Sequence, residues 1–145
     1  MRRLAVTLSG LALLVSLAAC GGDSEAGGAK GQYITDGDAI CNDTNSELAA
    51  VGTGSDTATL EKIRDAMARA YERLNALPVP ADDEARALQF VAEVHNAALT
   101  MEAAVQASII NDQAKVQKSL ADFQASTERV TKVAKDYGFK VCSQT

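Results

Sequence analysis

Ile109-Ile110-Asn111-Asp112 is the stretch at which the chain either runs on as one very long helix or turns back on itself. Upstream, Leu88, Val91, Val94, Ala98, Met101, Val105 and Ile109 recur at helical spacing. Downstream, Val116, Leu120, Phe123, Thr127, Val130, Ala134 and Tyr137 alternate in steps of four and three. The two stripes are in phase and no Gly or Pro interrupts them, so a single helix of about 55 residues, roughly 80 Å long, is allowed. A hairpin fits the same stripes, with one helix from Asp82 or Asp83 to Ile109 and another from Asp112 to Tyr137. Gly138 then stands as the terminating glycine and Phe139 as its apolar partner.

Toward the N-terminus the periods are shorter and better bounded. Leu60, Ile63, Met67, Ala70, Tyr71, Leu74 and Leu77 share one face of a helix over Ala58–Ala76, which Pro78 and Pro80 stop. Glu61, Asp65, Arg69 and Arg73 lie opposite, with Asp65 and Arg69 spaced as an i,i+4 pair, and read as a solvated face. An earlier helix starts at Asp36 as N-cap, has Asp38 in its first turn, and places Ile40, Cys41, Thr44, Leu48 and Val51 on one arc. Gly52 and Gly54 end it in a turn reaching Thr57. Before it, Gly21 to Gln32 holds five glycines and nothing apolar larger than alanine, the composition of a flexible tether. A random coil of that length reaches about 20 Å.

The first twenty residues carry an address. Arg2 and Arg3 precede a mostly apolar run from Leu4 to Leu17, too short for the roughly 20 residues of a membrane-crossing helix and not followed by a stop-transfer flank. The tetrad Leu17-Ala18-Ala19-Cys20 that closes it resembles the bacterial lipobox. That resemblance implies a cut between Ala19 and Cys20, a diacylglyceryl group on the Cys20 thiol and, often, a further acyl group on the new amine. Two or more such chains anchor a protein stably, where a single one binds only marginally. The implied partner is membrane lipid, and the implied place is the extracytoplasmic face of the cell membrane. Residues 1–19 are then a removed signal peptide, 20–33 the lipidated cysteine and flexible linker, and 34–145 a helical domain.

With Cys20 assigned to lipid, the remaining two of the three cysteines, Cys41 and Cys142, form an even pair that an oxidising compartment would join. A disulfide needs Cα atoms within about 7 Å. An uninterrupted helix would carry Cys142 far from Cys41, whereas a reversal at Asn111-Asp112 returns the end of the fourth helix to the start of the first. The expected fold is therefore all-α, a four-helix up-down bundle closed by one disulfide. Alanine supplies 27 residues, Trp none and aromatics 4%, so the core packs by close helix approach and leans on the cross-link. Ala-rich helical bundles ending in a segment like Tyr137-Gly138-Phe139-Lys140-Val141-Cys142 resemble small actinobacterial envelope lipoproteins, a likeness that implies no activity.

Removal of Arg2 and Arg3 lowers Lys+Arg from 14 to 12 against 19 Asp+Glu, taking the net charge from −5 to −7. A body of that sign repels nucleic acid, and its hold on a membrane comes from acyl chains, not a basic patch. Catalytic chemistry finds little to work with. His95 is the only histidine; Ala92 stands three residues before it, where a di-iron bundle motif needs Glu, and Glu93 and Glu102 do not complete a ligand set. A half-buried histidine hydrogen-bonded between helices is the expected state. Gly52-Thr53-Gly54-Ser55 lacks the lysine of a phosphate loop, no G-x-S-x-G occurs, and Met67 and Met101 read as core filler.

The expected function is thus non-enzymatic and needs no cofactor: a lipid-anchored binding or scaffolding module with an envelope protein as partner, then a carrier of a small apolar ligand, with an enzyme of unidentified class third. An apolar cavity among the second to fourth helices would mark the carrier, and an exposed apolar patch the protein binder. The tether enters beside Cys41, Cys142 and the Pro78–Ala81 turn, so that end faces the membrane. The Gly52–Thr57 and Ile109–Asp112 turns are distal, and Ile109 and Ile110 become the candidate partner tip. Cys20→Ser should release the protein from membranes or leave it uncleaved. Membrane-bound, processed protein that still incorporates labelled fatty acid after that change would contradict the anchor.

Overall fold

The computed structural model describes residues 28–144, and its order is α1 (Ala29–Val51), α2 (Thr57–Asn75), a 3-10 turn (Ala81–Asp83), α3 (Glu84–Ile109) and α4 (Gln113–Tyr137). The fold is all-α, a four-helix bundle with no strand among the described residues. The signal segment, Cys20 and tether residues 21–27 lie outside the described residues.

The long-helix alternative fails at Asn111, which adopts a left-handed φ of 58°. Asn is among the few side chains that tolerate this conformation. The Asn111 amide donates to the Ser108 carbonyl at 3.0 Å and the Asp112 amide to the Ala107 carbonyl at 2.9 Å, so the last turn of α3 closes on itself. Asp112 then accepts from the Lys115 amide at 3.1 Å and starts α4 in the opposite sense. That amide and the Lys115 side chain hold the Asp112 carboxyl below its ordinary range. The same device ends α4: Gly138 has φ 116°, and the Phe139 amide donates to the Ala134 carbonyl at 3.0 Å.

Beyond Gly138 the C-terminal segment crosses onto α1. Cys41 and Cys142 are disulfide-bonded, with Cα atoms 5.2 Å apart. One carboxylate oxygen of Asp38 accepts from the backbone amides of Val141 at 2.8 Å and Cys142 at 3.1 Å, and the other accepts from Lys140 at 3.0 Å. Asp38 is therefore a clamp for the segment, not a charge in the first turn of α1. Phe139 is buried with its ring centroid 4.4 Å from Phe90, 5.2 Å from Tyr137 and 5.9 Å from Tyr33. A Cβ on Gly37 would come within 2.5 Å of the Phe139 ring, so this close approach requires glycine on α1.

That aromatic cluster explains the first departure from expectation. The helix starts at Ala29 with Gly28 at its N-cap, not at Asp36, so residues 29–33 are helical. Tyr33 is buried, and its packing pulls the preceding turns into helix. Asp36 is interior to α1 and accepts from the Gln32 side chain at 2.8 Å. Lys30, in the first turn of α1, pairs with Asp83 at 2.7 Å and holds that carboxyl below the usual range.

α3 is the central element, packed extensively on both α4 and α2, while α1 rests on α2. Two core clusters result: one around Tyr33, Leu74, Phe90, Val94 and Val130, the other around Leu60, Met101, Val105 and Val116. The face of α2 read as solvated is used instead against α1, where Arg73 meets Asp43 and Arg69 meets Glu47, each at 2.8 Å. Asp65 pairs with Arg64 rather than with Arg69. All six side chains are partly exposed, so these pairs align the helices more than they stabilise them. On α3 the inward positions include Ala87 and Phe90, which leaves Leu88 46% exposed.

Tyr33 and Tyr137 bury their hydroxyls with no hydrogen-bond partner among the described residues. Burial, with Tyr137 adjacent, pushes the Tyr33 phenol up to about 12, and burial raises Tyr137 as well. The unfolded chain releases these protons near pH 10 while the folded chain keeps them, so stability is full below pH 10 and falls as pH rises toward 12. Tyr33→Phe should flatten that alkaline loss and, by removing an unpaired buried hydroxyl, raise Tm at pH 7. Thermal melts from pH 7 to 11 check both, and a variant with the parent's alkaline slope would refute the assignment.

Candidate functional site

The four helices do not close evenly. α1 touches α2, α2 touches α3 and α3 touches α4, but α4 makes no comparably extensive approach to α1. At that seam lies an apolar crevice of about 190 Å³. Its α1 wall is Cys41, Thr44, Asn45 and Leu48, and its α4 wall is Phe123, Thr127 and Val130. Met67, Ala70 and Leu74 of α2, with Val94 of α3, form the floor, and Cys142 closes the end at the disulfide.

The residues dictate the opening. On α4 the inward stripe carries Thr127 where a large apolar side chain would reach across, and on α1 the facing positions are Thr44 and Asn45. The Thr44 hydroxyl is spent on the Ile40 carbonyl at 2.9 Å, and Thr127 on the Gln124 carbonyl at 2.8 Å. Neither bridges the seam. The Cys41–Cys142 bond and the Asp38 clamp set the spacing of α1 from α4 at one end. At the other, Phe123 is half-buried and packs against both core clusters. No charged side chain lines the crevice.

The remaining candidates resolve differently. His95 stacks face to face on Tyr71 of α2, with centroids 4.3 Å apart and planes at 11°. Its interhelical contact is thus a ring stack rather than the expected hydrogen bond. Glu102 does not pair with His95; it accepts from Arg64 at 3.3 Å and Gln106 at 2.7 Å. Among the described residues no three His, Cys, Asp or Glu groups converge on a metal position, and no helix is long and apolar enough to cross a membrane. Met67 is part of the crevice floor, whereas Met101 belongs to the second core cluster.

At the α3–α4 turn, Ile109 is 52% and Ile110 64% exposed, which corrects the placement of Ile109 on the inward stripe of α3. The inward positions of the last turn go to Ala107 and Ser108, and the Ser108 hydroxyl meets that of Thr57 at 2.6 Å, closing the core one residue early. Ile110 borders a shallow groove with Ala103, Ala107 and Lys115.

The expected carrier cavity among the second to fourth helices is instead a crevice to which α1 and α4 supply the walls. The signal was present as Thr44, Asn45 and Thr127 interrupting otherwise apolar stripes. No family model matches this chain, and no curated protein and no solved structure matches it either.

Proposed function

We propose that this protein is a non-enzymatic binding module of the bacterial envelope, anchored by an acylated Cys20 to the extracytoplasmic face of the membrane, and that it takes an apolar ligand between α1 and α4. The observation that carries this reading is the crevice of about 190 Å³ walled by Leu48, Leu74, Val94, Phe123 and Val130 without a charged group. An enclosed cavity of ~150 Å³ lined by Leu, Ile and Phe takes a benzene ring, and natural ligand sites, open ones included, share this mostly apolar character. The chain provides no catalytic group at the crevice: its polar lining is Thr44, Asn45 and Thr127.

A second reading, docking of an envelope protein on the distal tip, is favoured by the exposure of both Ile109 and Ile110. The two readings separate by mutation. Ala70→Leu adds carbon to the crevice floor; it should abolish toluene binding followed by NMR while raising stability by about 0.5–2 kcal/mol, the usual gain from filling a void. Ile110→Asp should leave toluene binding intact and, if the tip docks a partner, remove that partner from crosslinks made in intact membranes. Toluene binding unchanged in Ala70→Leu would contradict the crevice reading.

A further inference from the structure

We propose that two copies of this chain stand side by side and parallel, joined through the outer face of α3 about a two-fold axis that runs along the bundle. Leu88, Ala92, Leu99, Ala103 and Ile110 recur on that face at steps of four and seven, with Asn96 between them, and all six are exposed. Such steps repeat every eleven residues, close to the period of a straight helix, so the strip follows the axis of α3 for about 33 Å. Its large side chains are bare: Leu88 is 46%, Leu99 54% and Ile110 64% exposed. No charged residue falls on the strip. Glu84 lies at its edge in the first turn, and the other charges of α3 turn to the neighbouring helices: Glu93 meets Arg129 of α4, Glu102 meets Arg64 of α2, and Arg86 donates to the Asp136 carbonyl of α4. An exposed, uncharged strip of this length has the character of a contact surface.

The flanks decide what covers it. On the α4 side, where that helix borders α3 in two grooves, Lys115, Lys118, Arg129 and Lys132 outnumber Asp122 and Asp136. On the α2 side, Glu61, Asp65, Glu72 and the α3 residue Glu102 outnumber Arg64. One flank is basic and the other acidic, so a copy turned by half a revolution about the long axis sets its acidic flank against the basic flank of the first, twice over. An antiparallel copy would set like against like. The levels agree as well. Thr57 on Ser108, Arg64 on Glu102 and Tyr71 on His95 key α2 to α3, which puts Glu61 level with Ala104 and Glu72 level with Val94. On α4, Lys118 shares a groove with Ala103, and Arg129 meets Glu93. Glu61 of one copy therefore faces Lys118 of the other, and Glu72 faces Arg129. Asp65 and Asp122 meet between these levels, each already paired on its own helix, with Arg64 and Lys118.

Parallel copies enter α1 from the same end, so two Cys20 anchors reach one membrane, and confinement there raises the concentration of each copy seen by the other. That step rests on the anchor; the strip and its flanks do not. α3 alone offers a strip of about 33 Å by 10 Å, roughly 330 Å² per copy against the ~800 Å² per partner of a stable interface, so the α2 and α4 flanks have to take part. α1 rests on α2 with little contact to α3, and the crevice between α1 and α4 stays open in the pair. The pairing is thus independent of the apolar-ligand reading, and it gives the exposed Ile110 a second copy as its partner.

The test is thiol crosslinking of the full chain, in the membranes of producing cells, with a short bismaleimide. Leu88→Cys, Leu99→Cys and Ile110→Cys should each give a band at the mass of two chains, because each position faces its own copy across a parallel two-fold axis. Ser46→Cys, exposed on α1, should give none. Lys118→Glu should slow formation of the Leu99→Cys band about tenfold, since the reversal is felt at two symmetric contacts, and Glu61→Lys in the same chain should restore it. Leu99→Asp should abolish the Ile110→Cys band and leave Tm at the parent's value, because Leu99 is half exposed in the single chain. A Leu99→Cys band without the Leu88→Cys and Ile110→Cys bands overturns the parallel pair, since antiparallel copies centred on Leu99 hold their two Leu88 residues about 33 Å apart. A band at another mass assigns the strip to a different protein, and no band leaves it uncovered; either result overturns the second copy. Failure of Glu61→Lys to restore the band overturns the matching of the flanks. None of these results bears on the crevice, which toluene binding tests separately.

Discussion

Asp38 and the Cys41–Cys142 bond fasten the C-terminal segment across α1, and the arrangement of the bundle follows from that fastening. A carboxylate that accepts three backbone amides makes charge-assisted hydrogen bonds, about twice as strong as neutral ones. The disulfide spans a sequence separation of 101, a loop whose closure restricts the unfolded chain by about 4–5 kcal/mol. Phe139, inserted against Gly37 and among Tyr33, Phe90 and Tyr137, fills the space beneath the fastening. α1 has no other comparable hold on the α3–α4 hairpin. It is tied at one end and packed along α2 through Ile40 and Leu48, with surface ion pairs aligning the two helices, so the seam facing α4 stays open.

The open seam is the point at which packing and the proposed function meet. A core rich in alanine and without Trp closes by bringing helices near one another, as Ala87, Ala97 and Ala104 of α3 do, each with no exposed surface. Between α1 and α4 that approach does not occur, because the fastening sets the spacing and Thr44, Asn45 and Thr127 do not span it. Voids in a core forfeit contacts and cost stability. A ligand that fills one restores them, which is why an apolar occupant is the reading this geometry favours.

Much of the architecture was legible from residue pattern. The four helices, the Gly138 terminus and the inward stripes of α2 and α4 follow from periodicity and local capping chemistry, which act within a few residues. The Cys41–Cys142 pair was accessible because exported cysteines pair in even numbers. The start of α1 was not, since Tyr33 is helical through contacts with Tyr137 and Phe139, more than a hundred residues away. Asp38 likewise has the composition of a first-turn acid and acts as a long-range clamp. Arg69 and Arg73 chose partners on α1 over partners on their own helix. The crevice was half legible: polar residues break two stripes, but only the tertiary spacing of α1 from α4 turns a broken stripe into a site.

The central claim is that α1 is held by its fastening to the C-terminal segment rather than by closure against α4. Native-state hydrogen exchange with the disulfide intact and then reduced tests it most directly, since local opening reports the hold on each element. The account predicts that reduction strips protection selectively from Ala29–Val51 while the α3–α4 hairpin keeps its own. Uniform loss across all four helices, or unchanged protection in α1, would contradict it.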